Sequence, residues 1–250
     1  MEKSHAADRG SGQPTLAQLR ELLAQIEKGR VTKDSLQRFL RGSTQPVTVE
    51  TAREIMGPKS FFGPDQWKEF FDKKFQLASI PEIPWTREEL ANPGTKQEHF
   101  LFLGLECLDG KPLSLPEWHK VFPGKGHPKF YSDWYLGRSF AQKTGGTRWY
   151  LMPVGIIEGS NNLLYDRQVS MLPNEYEVPL AVERVSANIL YCLLNGGYLD
   201  TDFWARTSDQ SDGGGRVIVL GDSGHGLFVD YWDGDAGSDI GVAASRKFLG

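Results

Sequence analysis

The run Gly221-Asp222-Ser223-Gly224 is the part of this sequence that most suggests catalysis. The same four residue types surround the nucleophilic serine of one class of proteases. That chemistry also needs a histidine base, an aspartate that orients it and backbone N–H groups that stabilise the oxyanion. In that class the histidine lies far upstream beside a cysteine, and this setting is found at none of His5, His99, His119 and His127. We therefore predict no protease, and we interpret His225 as a displayed side chain.

A group of aspartates follows this run, at Asp230, Asp233, Asp235 and Asp239. Carboxylates are the ligands that calcium prefers, and an EF-hand loop that began at Asp233 would need an acidic residue at its twelfth position. Ala244 occupies that position. We predict a solvated acidic loop and no metal site. A calcium-dependent carbohydrate-binding lectin remains an alternative.

Other chemistry-bearing patterns are incomplete. Gly213-Gly214-Gly215 is not followed by Lys-Ser or Lys-Thr, so it is no phosphate-binding loop. Cys107 and Cys192 form no CxxC pair, which excludes a disulfide scaffold and a cysteine-rich zinc site. We expect no cofactor and no enzymatic activity. We predict core positions for five aromatic residues, Trp118, Trp134, Tyr135, Trp149 and Tyr150.

The composition argues against a nucleic-acid-binding protein and against a membrane-spanning protein. The 250 residues carry 28 Lys and Arg against 32 Asp and Glu, a net charge of −4 that gives no electrostatic footprint for nucleic acid. No apolar run is long enough to span a membrane, and residues 1–15 lack the apolar centre of a signal peptide. We expect a protein that is cytoplasmic as synthesised, with display on a phage or cell surface by another route left open. The 28 Gly, 7 Trp, 8 Tyr and 14 Phe favour a loop-rich α+β fold.

Three helices are predicted before residue 58. Thr15 and Gln18 form a capping-box pattern that opens an amphipathic helix ending at Gly29. A second helix is predicted from Thr32 and a third over residues 49–56. We interpret residues 1–57 as a helical amino-terminal segment, with about the first fourteen flexible, and residues 58–250 as the main domain.

Short strands dominate the carboxy-terminal part. Apolar residues recur at helical spacing over 178–193, which predicts the longest helix of the chain. After it, short apolar runs alternate with loops rich in Gly, Asp and Ser. The predicted strands cover residues 203–207, 216–220, 226–231 and 241–248.

Residues 216–248 read RVIVLGDSGHGLFVDYWDGDAGSDIGVAASRKF. Their framework consists of Val217, Val219, Gly221, Gly226, Leu227, Val229, Trp232, Ile240, Gly241 and Val242. This segment resembles the variable proteins of diversity-generating retroelements, and the resemblance is specific over residues 200–248 and loose over the rest of the chain. The upstream layout, a short helical part followed by Phe61-Phe62-Gly63, is similar to forms of that family in bacteria with reduced genomes and their phages.

The resemblance implies a C-type-lectin-like domain over residues 58–250 with a variable region at about 216–248. In that family, template-directed mutagenesis randomises bases opposite adenines. An Asn codon randomised at its first two bases cannot encode Lys, Glu, Gln, Met or Trp. These types make up about a fifth of the chain, yet Trp232 is the only one of them among positions 217–240. We assign Trp232 to the buried framework.

We predict that the residues between the framework positions are the diversified, ligand-binding positions. These eleven, called the displayed positions below, are Leu220, Asp222, Ser223, His225, Phe228, Asp230, Tyr231, Asp233, Asp235, Ser238 and Asp239. Framework and displayed residues roughly alternate over 217–229, as expected for a strand with one buried face. The alternative for Leu220 and Phe228 is that both belong to the core, although Leu227 and Phe228 cannot face the same way on a regular strand.

The predicted function is the binding of a protein ligand through the displayed positions. Tyr231 or Phe228 would be the central aromatic anchor, and the surrounding carboxylates would favour a basic or polar patch on the ligand. The identity of the ligand and the oligomeric state are not predicted. A second alternative is an enzyme of the formylglycine-generating type, which needs a pair of cysteines near the carboxy terminus that this sequence lacks.

Overall fold

The computed structural model describes residues 15–29, 31, 36, 47–124 and 126–247. The chain divides into two compact units, residues 1–45 with 249–250, and residues 46–248. The flexible stretch predicted for about the first fourteen residues, most of the helix predicted from Thr32 and the end of the predicted strand at residue 248 lie outside the described residues. No helix of the described ranges has the length and apolar character needed to cross a membrane.

The described part of the smaller unit is mainly one helix, α1 (Leu16–Glu27). The predicted capping box is present, because the Gln18 N–H donates to Thr15 Oγ1 at 3.2 Å and the Thr15 N–H donates to Gln18 Oε1 at 2.8 Å. Leu16, Leu19 and Leu23, on the apolar side of this helix, are exposed.

The larger unit is mixed α+β. Its helices are α2 (Val49–Met56), α3 (Pro64–Phe71), α4 (Arg87–Ala91), α5 (Leu115–Val121), α6 (Tyr165–Ser170) and α7 (Ala181–Asn195), with 3₁₀ turns at Asp72–Lys74 and Phe140–Gln142. Its strands are β1 (Phe61–Phe62), β2 (His99–Leu103), β3 (Cys107–Leu108), β4 (Lys111–Pro112), β5 (Trp149–Pro153), β6 (Tyr176–Glu177), β7 (Trp204–Gln210), β8 (Arg216–Asp222), β9 (Gly226–Trp232), β10 (Ile240–Val242) and β11 (Ser245–Arg246).

Two sheets contact one core. One has the order β1-β2-β5, with β1 parallel and β5 antiparallel to β2. The other has the order β10-β7-β8-β9, in which β10 is parallel to β7 and the remaining pairs are antiparallel. Helix α7 packs against strands of both sheets. Two-stranded pairs β6-β11 and β3-β4 complete the described strands.

The structure places helix α2 in the larger unit, whereas the sequence analysis placed the boundary at residues 57 and 58. The reason is packing: Ala52 of α2 is fully buried in the main core, and the helix contacts α4, β1 and β2. The contacts therefore put the boundary after Gln45.

The structure differs from two further predictions in detail. The strand predicted over 241–248 is two short strands in different sheets, because β10 pairs with β7 and β11 turns away to pair with β6. Of the five aromatic residues predicted for the core, four are buried, whereas Trp134 is half-buried.

A buried ion pair connects helix α7 to the chain that enters the second sheet. Arg184 donates to Asp200 from Nε at 2.8 Å and from Nη2 at 2.5 Å, and both side chains are completely buried. Asn188 donates to the same carboxylate at 2.8 Å, and its Oδ1 accepts the Leu199 and Asp200 N–H groups. Arg184 also donates to the carbonyls of Pro153 and Gly155. The network therefore ties α7 to β5 and to the residues before β7.

His99 on β2 is buried and neutral. Its Nδ1 lies 2.9 Å from the Gln97 carbonyl oxygen, so that nitrogen is the donor, and its Nε2 lies 2.7 Å from the Tyr176 hydroxyl. Burial lowers the pKa of His99 to about 4, and the positive charge of Arg246 contributes in the same direction.

The first prediction concerns the buried ion pair. Asp200→Asn leaves the Arg184 charge buried without its counter-ion, and we expect a loss of about 3–5 kcal/mol in the free energy of unfolding. Urea denaturation of the whole chain measures it. The control is Asp65→Asn, which breaks the exposed pair between Arg53 and Asp65 and should cost less than about 1 kcal/mol. Equal losses in the two variants would contradict the role assigned to Asp200.

The second prediction concerns pH. Because the pKa of His99 is about 4 when folded and about 6.5 when unfolded, only the unfolded chain takes up this proton between those values. This contribution of His99 to stability is complete above pH 6.5 and declines as the pH falls toward 4. The loss approaches about 1.4 kcal/mol per pH unit. Urea denaturation at pH 7, 6 and 5 measures it, and His99→Gln should remove most of the slope above pH 5. An unchanged slope in that variant would refute the assignment.

Candidate ligand-binding surface

Strand alternation divides the side chains of the β8–β9 hairpin between two faces, and Ile218, which faces away from the main core, is also buried. Val217 and Val219 on β8 and Leu227 and Val229 on β9 are buried in the main core. The opposite face, called the outer face below, carries cross-strand neighbours in the register Leu220–Phe228, Ile218–Asp230 and Arg216–Trp232. One face of the hairpin therefore packs in the main core, and the outer face points away from it.

None of the eleven displayed positions is buried. Leu220, Asp222 and Phe228 are half-buried, and the other eight are exposed. Leu220 and Phe228 lie on the outer face and not in the core, so the core alternative for these two residues is wrong. Between these positions, Gly221, Gly226, Ile240, Gly241 and Val242 are buried together with the four core residues of the hairpin.

Trp232 departs from the framework assignment. It was predicted to be buried, but 39% of it is exposed. The reason is its register, because it follows Phe228 and Asp230 on the outer face and lies opposite Arg216 near the open end of the hairpin. Its indole N–H donates to the Asp235 carbonyl at 3.0 Å. Trp232 thus stabilises the following loop and does not fill the core.

An aromatic patch forms at the turn end of the outer face. Phe228 stacks on Tyr131 with ring centroids 4.1 Å apart, and it meets Trp204 edge-on at 5.8 Å. His225 lies 5.9 Å from the Tyr131 ring. Tyr131 is 57% exposed, and Leu220 is the cross-strand neighbour of Phe228. We call Tyr131, Trp204, Leu220, His225 and Phe228 the aromatic patch.

The turn between β8 and β9 is held by Asp222. One carboxylate oxygen accepts the N–H groups of Gly224 and His225 at 2.8 and 2.7 Å, and it lies 2.8 Å from His225 Nδ1. The His225 and Gly224 N–H groups lower the pKa of Asp222 below its ordinary value. The hydrogen bond of His225 is thus formed with Asp222 and not with Ser223. Asp222 therefore has a structural role in addition to its position on the surface.

The loop from Asp233 to Asp239 is held through its main chain. Its carbonyl oxygens accept hydrogen bonds at four residues: Asp235 from Arg206, Gly237 from the Asn162 N–H, Ser238 from Asn161, and Asp239 from the Trp204 N–H. None of these bonds uses an aspartate or serine side chain of the loop. These four hydrogen bonds therefore do not depend on the side chains at the displayed positions of the loop.

The free edge of β9 is held in the same way. The Leu227 N–H donates to the Lys129 carbonyl at 2.7 Å, and the Leu227 carbonyl accepts the Tyr131 N–H at 2.9 Å. Trp134 Nε1 donates to the Val229 carbonyl at 2.9 Å. Gly226 permits this close approach because its φ is +110° and a Cβ there would lie 2.6 Å from the Lys129 oxygen.

Sequence reasoning missed three aromatic residues of this surface. Tyr131 and Trp204 belong to the aromatic patch, and Trp134 lies edge-on to Tyr231 with ring centroids 5.5 Å apart. The sequence shows that Tyr131 and Trp134 are aromatic residues close together in the chain. It does not show that their segment runs beside β9.

The aspartates do not converge on a cation. Among the described residues, no group of three or more His, Cys, Asp or Glu side chains is arranged to hold a metal ion. The side chains of the surface offer hydrogen-bond acceptors, negative charge and aromatic faces, which suit non-covalent binding.

A third prediction tests the edge of β9. Gly226→Ala forces a side chain against the Lys129 carbonyl at a φ that L residues rarely adopt, and we expect a loss of about 1–3 kcal/mol in stability. Gly137→Ala is the matched control, because nothing lies within 4 Å of a Cβ at that residue. Thermal unfolding followed by circular dichroism compares the two. The close approach of residues 129–131 would be refuted if Gly226→Ala were as stable as Gly137→Ala.

A comparison with known protein families, with curated proteins and with solved structures finds no match to this chain.

Proposed function

We propose that this chain is a ligand-binding protein whose displayed positions are diversified by retroelement mutagenesis to change its binding specificity, and that its ligand is a protein. The proposal includes a C-type-lectin-like fold for the larger unit. That part is supported by the resemblance over residues 200–248 and by an α+β architecture of short strands and irregular loops.

One observation carries the proposal: all eleven displayed positions are at least partly exposed, while the framework residues other than Trp232 are buried. A surface that accepts many side chains must obtain its backbone geometry from other groups. Here the loop and the strand edge are held by main-chain hydrogen bonds and by residues outside the variable set, Asn161, Asn162, Arg206 and residues 129–131. Substitution at the displayed positions therefore leaves these contacts in place, whereas Asp222 and Asp230 also hold main-chain N–H groups through their own carboxylates.

The surface has the chemistry of a protein-binding site. Aromatic side chains give contact area at a low cost in conformational entropy, and short polar residues around them give adaptable hydrogen bonds. Phe228 and Tyr231 supply the first property, and Ser223, Asp230 and Asp233 supply the second. Because most of the charged displayed residues are aspartates, the present variant should favour a ligand with a basic patch.

The fourth prediction is a display experiment. A library of the whole chain, randomised at the eleven displayed positions with Asp222 limited to Asp, Asn, Ser and Thr, is presented on yeast and selected against lysozyme and, separately, serum albumin. We expect folded members that bind one target and not the other, because the framework does not depend on these side chains.

The matched control is a library randomised at Val217, Val219, Leu227 and Val229, which should lose most of its folded members because these side chains fill the core. Surface expression with a conformation-sensitive binder to the larger unit scores folding. If the displayed library folded no better than the core library, or if it gave no target-specific binder, the proposed function would be wrong.

A further inference from the structure

A pocket of about 350 Å³ opens at the end of the second sheet, beside the turn that joins β7 to β8. It is lined by Trp134, Arg138, Ser211, Asp212, Gly213 and Tyr231. Tyr231 is one of the displayed positions, whereas the other five belong to segments outside the variable region. The pocket therefore combines one diversified side chain with a constant wall.

Ser211 supplies a polar group that the fold does not use. The residue is only 8% exposed, and its Oγ has no hydrogen-bond partner among the described residues. The turn itself is closed by main-chain bonds, from the Ser211 N–H to Gly215 and from the Gly214 N–H to Ser211. A buried hydroxyl without a partner costs free energy, which a ligand donor or acceptor would recover.

The other walls suit a flat cation. Trp134 and Tyr231 meet at an interplanar angle of 63°, so their rings form two sides of an open corner. The guanidinium of Arg138 already lies 5.9 Å from the Trp134 ring centroid and donates to Asp212 at 3.2 Å. This internal contact shows that one aromatic face and one carboxylate of the pocket accept a guanidinium together.

The charged groups at the pocket and beside it are mostly carboxylates. Arg138 is opposed by Asp212, and two further carboxylates lie nearby on the chain that carries Tyr231. Asp230 accepts the Tyr231 N–H at 2.9 Å, and a Cβ at Gly215, in the β7–β8 turn, would lie 3.0 Å from Asp233 Oδ1. Asp212 already accepts hydrogen bonds from Arg138 and Ser139, so the attraction of a cationic side chain would come chiefly from Asp230 and Asp233.

We propose that this pocket binds an arginine side chain of the protein ligand, an inference that rests on the proposed function. A guanidinium can stack on Trp134 or Tyr231 while it donates to Asp212 and to Ser211 Oγ. Arginine fits better than lysine because its planar group has five donors and an aromatic-stacking face. Ser211 and Asp212 lie outside the variable region, so this contact would be common to ligands that different variants bind.

The test is a titration of the isotope-labelled full chain followed by NMR at the indole N–H of Trp134, whose resonance is assigned with Trp134→Phe. The probes are acetyl-Gly-Arg-Gly-amide and the same peptide with citrulline, the neutral analogue of arginine. We expect the arginine peptide to shift this resonance and to bind at least about tenfold more tightly than the citrulline peptide. Ser211→Ala should weaken arginine binding about three- to tenfold, and Ser170→Ala, at an exposed serine of α6 outside the binding surface, should not change it.

An absent shift, equal binding of the two peptides, or an unaffected Ser211→Ala variant would each overturn the inference. A stronger response to methyl glucoside than to the arginine peptide would also overturn it. These outcomes are distinct from failure of the proposed function. If display libraries give specific binders while the peptide does not bind, only the arginine pocket is wrong. If the peptide binds while the randomised libraries do not fold, the diversification proposal is wrong.

Discussion

The buried ion pair of Arg184 and Asp200 is the constraint on which the binding surface depends. Burying two charges costs several kcal/mol each, and the pair is tolerable only because nearly every donor and acceptor is satisfied. One hydrogen bond connects this ion pair to the binding surface: the Asp200 carbonyl accepts the Gly221 N–H at 2.6 Å. Gly221 packs so closely on Tyr198 that a Cβ there would lie 2.1 Å from the tyrosine Cβ. The end of β8 is thus fixed immediately before the turn.

In this arrangement, different groups determine the path of the backbone and contact the ligand. The groups that determine the path of the backbone are side chains of α7 and the core, and main-chain and side-chain groups of segments such as residues 129–131 and 161–162. Side chains that would meet a ligand lie between them and contribute little to that path. A charge or an aromatic ring can therefore change on the surface at a small cost in stability. Asp222 and Asp230 are the exceptions, because their carboxylates accept main-chain N–H groups.

The sequence was sufficient for features that depend on local periodicity. The rough alternation of framework and displayed residues predicted the core face of β8 and β9, although Ile218 on the opposite face is buried as well, and the pattern at Thr15 predicted the start of α1. It was insufficient for features set by distant segments. Trp232 is exposed because of its register and because its indole N–H meets a loop carbonyl. Tyr131 belongs to the surface because its segment pairs with the edge of β9, which no local pattern encodes.

The most direct test of the account is the structure of two selected variants that differ from this chain at most of the eleven displayed positions. The account predicts that the main chain of residues 216–242 superposes on the present structure within about 1 Å, as in other preorganised binding surfaces. Main-chain displacements beyond about 2 Å in the strands or in the loop from Asp233 to Asp239 would contradict it. The backbone would then depend on the side chains that it is proposed to display.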